Sequence, residues 1–278
     1  MGSCKKVNTD VVGHKISPVR TTNRAIGETG LELLAQKAIL SVIIPTWNEE
    51  QSIASLLQYL EQIIPANHYE IIVCDGGSTD QTLAILRQFP KLRLVQSPLG
   101  RARQLNAGAS VAKGQWLYFL HADTFPPPDL WEQFLAVKAT QTDAACFSIR
   151  FDSEHPLLRF CSWCSKFNWN GFRYGDQSLL VRREVFDACG GYREELEIME
   201  GNELIGRLDR RVNFRLLPAE VQTSARKYRQ YGPVYLQSVY TLIYLLSRAG
   251  LSQGPLVQLY RFLLPPTAPP SKNVLESF

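Results

Sequence analysis

Between residues 39 and 120, short runs of β-branched and aliphatic residues alternate with segments whose apolar residues recur at helical spacing. This alternation narrows the folds open to the chain more than any other feature. Residues 39–44 (ILSVII) read as a strand, and 49–63 place Ile53, Leu56, Leu57 and Leu60 at helical spacing, with Ile64 just beyond. A second strand follows at 69–74, a helix through Leu83, Leu86 and Phe89, a third strand at 92–95, a helix at 101–112 and a fourth strand at 116–120. Strands and helices joined by loops of a few residues predict an α/β fold, a mostly parallel sheet covered on both faces. The near-continuous apolar strands agree with burial on both sides. Beyond Pro126-Pro127-Pro128 the pattern is less regular. It predicts helices near 130–140, 157–166, 183–188 and 200–210, strands at 144–150, 177–181 and 213–217, and two terminal helices near 230–248 and 254–263.

In such a sheet, ligands bind beyond the carboxyl ends of the strands. Four polar clusters fall there and are expected along one rim: PTWNEE at 45–50, DGGSTD at 75–80, SPLGRAR at 97–103 and HADT at 121–124. In the second, an acid follows the strand, two glycines permit a turn or a close approach, and Ser78 or Thr79 can cap the next helix. A tight β-to-α turn accounts for it equally well. Arg101 and Arg103 stand on the first turn of a helix, where free backbone N–H groups also attract anions; solvated surface arginines are the competing reading. His121 and Asp123 are two residues of one strand edge on the same side, because side chains alternate with period two. The carboxylate suits Mg²⁺ or Mn²⁺, with the imidazole ligating or orienting; a polar strand end is the plain alternative.

The chain has 278 residues, 45% hydrophobic and 20% charged, which fits one large domain with appendages. Its net charge of +4 is spread without a basic block, giving no reason to propose nucleic-acid binding. Six cysteines at 4, 74, 146, 161, 164 and 189 include one close pair, Cys161 and Cys164, with no second half for a zinc site. That pair reads as helical packing positions in a reducing compartment. Residues 1–37 lack the apolar stretch of a signal peptide and read as a mobile extension. Residues 234–246 fall short of the roughly 20 needed to span a bilayer. The expected organisation is therefore an extension at 1–37, a domain at 38–225, C-terminal helices at 226–265 packing on the domain or a membrane surface, and a flexible tail at 266–278. The expected location is cytoplasmic, with peripheral placement on the inner membrane face as the alternative.

Taken together, SVIIPTWNEE, VCDGGSTDQT and GRARQLNAGASVAKGQWLYFLHADT resemble, in order, segments of the inverting glycosyltransferases of family 2, which have the GT-A fold. The resemblance covers about 39–265. FLHADT, YGDQSLLVRREVFDACGGYRE, IMEGNEL and TSARKY are most similar to a subgroup known as selenodomain-associated or arsenosugar-biosynthesis transferases. The resemblance implies that Pro45, Thr46, Asn48 and Glu49 form the first nucleotide-contacting turn and that Asp75 accepts a hydrogen bond from the base. It implies that Arg101 and Arg103 approach the diphosphate, that Asp123 with His121 holds a divalent metal (Mn²⁺ or Mg²⁺), and that Asp176 and Gln177 bind the acceptor. The implied partners are a nucleoside-diphosphate sugar, UDP-linked for preference, and a small or lipid-linked hydroxyl acceptor. Transfer of one sugar per event is implied because the QxxRW motif of processive synthases is absent.

One departure bears on catalysis. Where the family carries an Asp as base, this chain has Gly201, within Met199-Glu200-Gly201-Asn202-Glu203. Glu200 and Glu203 are the candidates to replace it; helix-start acids favoured by the macrodipole are the alternative for both. A catalytically weak nucleotide-sugar-binding protein is therefore the second functional reading, and a nucleotidyltransferase on a related sheet the third. The stretch TSARKYRQYG, with Arg226, Lys227 and Arg229, could close over the diphosphate. The aliphatic and tyrosine residues of 234–246 suit packing on the domain, a homodimer contact or a membrane interface.

Overall fold

The computed structural model describes residues 39–167 and 177–265. The expectations for 1–37, for 266–278 and for Asp176 lie outside the described residues. Four parallel strands, β1 (Leu40–Thr46), β2 (Tyr69–Asp75), β3 (Arg93–Gln96) and β4 (Trp116–Phe119), alternate with α1 (Ile53–Ile63), α2 (Thr82–Leu86) and α3 (Arg101–Val111). A two-residue strand β5 (Thr124–Phe125) precedes α4 (Leu130–Lys138), β6 (Ala144–Phe151), α5 (Pro156–Cys164), β7 (Leu179–Arg182) and α6 (Arg183–Ala188). Then come α7 (Glu200–Asp209), β8 (Phe214–Thr223), α8 (Arg226–Tyr231), α9 (Pro233–Arg248) and α10 (Gln253–Leu263). The sheet runs β3-β2-β1-β4-β7-β6-β8-β5. It is mixed, because β7 is antiparallel to both β4 and β6, and β5 is antiparallel to β8. β6 and β8 point the same way as the first four strands, so six strands end on one rim.

Alternation along β1 builds both cores. Leu40, Val42 and Ile44 pack with Ile53, Leu56, Leu57 and Leu60 of α1, while Ile43 meets Ala102, Leu105 and Ala109 of α3 on the other face. A third cluster joins Leu158, Tyr228, Leu236, Val239, Ile243 and Leu256 of α5, α8, α9 and α10. No helix among the described residues is long and apolar enough to cross a membrane. Cys161 and Cys164 lie on α5, and Cys74 and Cys146 sit in β2 and β6, inside the strands expected at 69–74 and 144–150. Burial pushes the Cys74 thiol up to about 12.

Gly108 sets how closely α3 approaches the sheet. A Cβ there would stand 2.4 Å from Ile43 Cγ2 and 2.8 Å from Cys74 Sγ, both on fully buried side chains. Alanine would gain about 1 kcal/mol of helix propensity, but overpacking costs about 1–3 kcal/mol where neighbours cannot move. At 2.4 Å the clash wins, so Gly108→Ala is expected to lower stability by about 1–2 kcal/mol in urea denaturation. An unchanged midpoint would show that α3 can shift outward.

Candidate functional site

The first two rim turns are laced to each other. The Asn48 N–H donates to Ser78 Oγ (2.9 Å), the Thr79 N–H to Asn48 Oδ1 (2.8 Å), the Glu49 N–H to Thr82 Oγ1 (2.8 Å) and the Glu50 N–H to Asp80 Oδ2 (3.1 Å). Asn48 holds φ 55 to do this, a left-handed conformation that asparagine tolerates better than most residues. Burial raises the Asp80 pKa, but donors at Thr82 and Glu50 outweigh it and hold the carboxyl below its ordinary value. Asp75 is fully buried. Its Oδ2 accepts from the Gly77 and Ser78 N–H groups (2.8 and 2.9 Å), and its Oδ1 from the hydroxyls of Ser78 and Thr46. These bonds make Asp75 the brace of the turn that follows β2. Thr46 is equally buried, whereas Pro45, Asn48 and Glu49 are partly exposed at the rim.

Beside these turns, α3 begins at Gly100, whose φ of 142 suits a residue without a side chain. Arg101 and Arg103 are exposed on its first turn. Arg101 reaches across to Glu200 at the start of α7, 3.3 Å from Nη1 to Oε1, and Glu200 is only 4% exposed. The same helix contributes Gln104, which sequence reasoning passed over. Its buried amide donates to the carbonyls of Thr46 and Cys74, both at 2.8 Å, and so ties together the ends of β1 and β2. The available signal was a glutamine between Ala102 and Leu105 on the inward face of the helix.

The expected continuation of β4 through His121 and Asp123 is corrected. The strand stops at Phe119, and the Thr124 N–H bonds back to the His121 carbonyl at 3.1 Å, so HADT is a turn. Period-two alternation therefore does not fix the relative directions of the two side chains. Asp123 lies 3.9 Å from Arg226 Nη2, and the same nitrogen contacts both oxygens of Glu49, at 3.3 and 3.4 Å. Arg226 thus bridges the first rim turn and the fourth. Among the described residues, no three His, Cys, Asp or Glu side chains gather to hold an ion by themselves. One carboxylate with one imidazole nonetheless fits a hard cation that keeps waters and takes further oxygens from a substrate diphosphate.

Two other expected site residues are held by structural contacts. Glu203 is held by Arg207, at 2.7 Å from Nη2 and 3.0 Å from Nε, and by Arg193 at 3.4 Å. Arg207 in turn donates to the Cys189 and Gly191 carbonyls. Glu203 therefore pins α7 to the preceding loop, with its oxygens committed. Gln177 is fully buried; its amide donates to the Ser165 carbonyl (3.4 Å) and its Oε1 faces Cys146 Sγ (3.8 Å), so its side chain packs between α5 and β6. Next to Glu200, the Tyr192 hydroxyl is pushed up by burial and then by the Glu200 charge, with Arg101 opposing, so it stays protonated.

The architecture matches solved glycosyltransferase structures. A mannosyltransferase from Pyrobaculum calidifontis, in complex with GDP-Man and Mn²⁺, aligns with TM-score 0.61 at 18% identity, over 82% of this chain and 70% of that one. Staphylococcus aureus TarS 1–349 in complex with UDP aligns with TM-score 0.56 at 20% identity, over 81% and 70%. These likenesses show the fold, the expected GT-A type. In sequence, the chain is 33% identical over 126 residues to S. aureus poly(ribitol-phosphate) β-N-acetylglucosaminyltransferase TarS, 43% of this chain but only 20% of that protein's length. It is 29% identical over 163 residues to the dodecaprenyl-phosphate galacturonate synthase of Rhizobium johnstonii, 55% of this chain and 46% of that protein. The family model for glycosyl transferase family 2 matches residues 41–194, more than half of the chain, and the protein belongs to that family.

Proposed function

We propose that the protein is an inverting glycosyltransferase that moves one sugar from a nucleoside-diphosphate donor, UDP-linked for preference, to a hydroxyl acceptor. The observation that carries this is the pairing on one rim of two arginines, one exposed and one half-buried, with carboxylates: Arg101 with Glu200, and Arg226 with Glu49 and Asp123. A diphosphate entering between them offers both guanidinium groups a better anionic partner. Arg101 turning to a phosphate oxygen releases Glu200, which then takes the proton of the acceptor hydroxyl. The acceptor oxygen bonds to the anomeric carbon from the face opposite the diphosphate; the carbon–oxygen bond to the diphosphate breaks and its electron pair leaves with the phosphate. A single displacement of this kind inverts the centre. Asp123 and His121 would hold a divalent cation, which when bound neutralises charge on the leaving diphosphate. The GDP-Man and Mn²⁺ in the Pyrobaculum structure and the UDP in the TarS structure support this choice of ligands. Asp75 and Gln104 act by holding the turns in place.

Two finer points follow from the same reading. By the subgroup likeness in IMEGNEL, Gly201 stands where the usual Asp would be, and the adjacent Glu200 is the carboxylate proposed to replace it. The outward faces of α9 and α10 carry Val234, Tyr235, Leu242, Leu245 and Phe262, the last 81% exposed. Such a face supports contact with a membrane bearing a lipid-linked acceptor, or with a second copy, over simple solvation.

The second reading, a donor-binding protein without turnover, is favoured by Gly201 alone. Calorimetric titration with UDP and GDP, each with and without Mn²⁺, followed by assay of nucleotide release from the corresponding sugar nucleotides, separates the two. Metal-enhanced binding with release is expected. Binding without release would sustain the second reading, and no binding of either nucleotide to folded protein would sink both.

A further inference from the structure

We propose that a cleft of about 440 Å³ at the C-terminal ends of β6 and β8 is the acceptor subsite, and that it takes a sugar-sized ligand bearing a carboxylate or phosphate. This rests on the transfer reading above. The volume falls in the range of small-molecule sites. Arg150 and Gln222 are register partners across β6 and β8 and form the floor, joined at 2.8 Å from Nη2 to Oε1. Because Ile149 points into the core, Arg150 points out of it. Trp163 of α5, 55% exposed, forms one wall, with Phe167 edge-on against it at 4.6 Å. It offers a flat apolar surface to a sugar ring.

The charges select the ligand class. Lys166 is occupied by Glu220 (2.8 Å), and Arg159 leans on Glu154 (3.8 Å). Arg150 differs: among the described residues, its guanidinium meets the neutral carbonyl of Gln222 and no carboxylate. A guanidinium has five N–H donors in a fork that matches a carboxylate or phosphate. An anionic group seated there would neutralise the cation that the cleft leaves without a negative partner.

Position ties the cleft to the donor side. Asp152, on its rim, accepts from the Ala225 N–H and from Arg229 at 3.1 Å. Arg229 stands three residues from Arg226, the residue holding Glu49 and Asp123, and residues so spaced are neighbours on a helix. One turn of α8 therefore separates the cleft from the carboxylates that would face the diphosphate.

The test uses the full chain and four probes: glucose 6-phosphate, glucuronate, glucose and inorganic phosphate, read by saturation-transfer NMR and calorimetry. Glucose 6-phosphate or glucuronate is expected to bind at least tenfold more tightly than glucose or phosphate alone. Arg150→Gln should lose at least tenfold of that affinity, and Trp163→Ala should weaken it, while UDP affinity stays within twofold in both. Arg150 is exposed, so retained UDP binding certifies a folded variant. Equal binding of phosphate and sugar phosphate, or affinities unmoved by Arg150→Gln, would overturn the proposal. If UDP fails to bind the wild type while glucose 6-phosphate binds through Arg150, the transfer reading and the acceptor role fall together, and an anionic-saccharide site remains.

Discussion

Glu200→Gln is expected to lower turnover by about 10²- to 10⁴-fold, the usual worth of a general base, while nucleotide affinity stays near that of the wild type. The amide keeps the shape of the carboxylate and can still accept from Arg101, but it cannot take a proton. Glu203→Gln makes the contrast. Its carboxylate holds Arg207, which is 8% exposed and anchors the Cys189 and Gly191 carbonyls. Its loss is expected to lower the melting temperature far more than kcat. The two acids stand three residues apart at one helix start, yet among the described residues one pairs with an exposed arginine and the other sits in a buried fork. If Glu200→Gln leaves single-turnover rates unchanged, the proton goes elsewhere and the mechanism above is wrong.

Asp123→Ala is expected to abolish the enhancement of UDP binding by Mn²⁺ and to cost turnover on the order of 10²-fold or more, because a metal-bound leaving group is worth several kcal/mol. Binding without metal should change little. The substitution also leaves Arg226 with Glu49 as its remaining carboxylate on this rim, 3.3 Å away, so the guanidinium stays near the diphosphate. A variant that keeps its Mn²⁺ response would remove Asp123 from the metal assignment. Calorimetry at several Mn²⁺ concentrations makes the decision without an acceptor.

The first four strands and the rim were legible because each depends on local pattern: apolar runs of strand length, helical spacing, and a polar turn after each strand. What the pattern missed depends on distant partners. Arg226 could be noticed as a basic residue, but its meeting with Glu49, 177 residues away, is set by the path of β8. That strand was expected to span 213–217. It continues past Pro218 to Thr223, absorbing the irregularity as a register shift opposite Phe147 and Ser148. Gln177 was expected at the acceptor from the resemblance of its segment alone; its burial against Ser165 follows from how α5 closes over β6. Glu203 and Arg207 were visible as an i, i+4 pair, a spacing that favours an ion pair over a free base.

The pairing of β5 with β8 has a consequence for how the protein comes to be competent. Thr124 and Thr223 bond through their hydroxyls at 3.1 Å, and the Ser224 N–H bonds to the Asp123 carbonyl. The HADT turn is therefore clamped by residues about a hundred positions later. A chain emerging from the ribosome can assemble β1 to β4 and their helices early, since those contacts are nearer in sequence. The turn gains its clamp only once β8 has been made and docked beside β6. Completion of the fourth rim turn is thus a late event on the folding path, and a nascent chain lacking β8 would carry the HADT residues without the grip that sets their geometry.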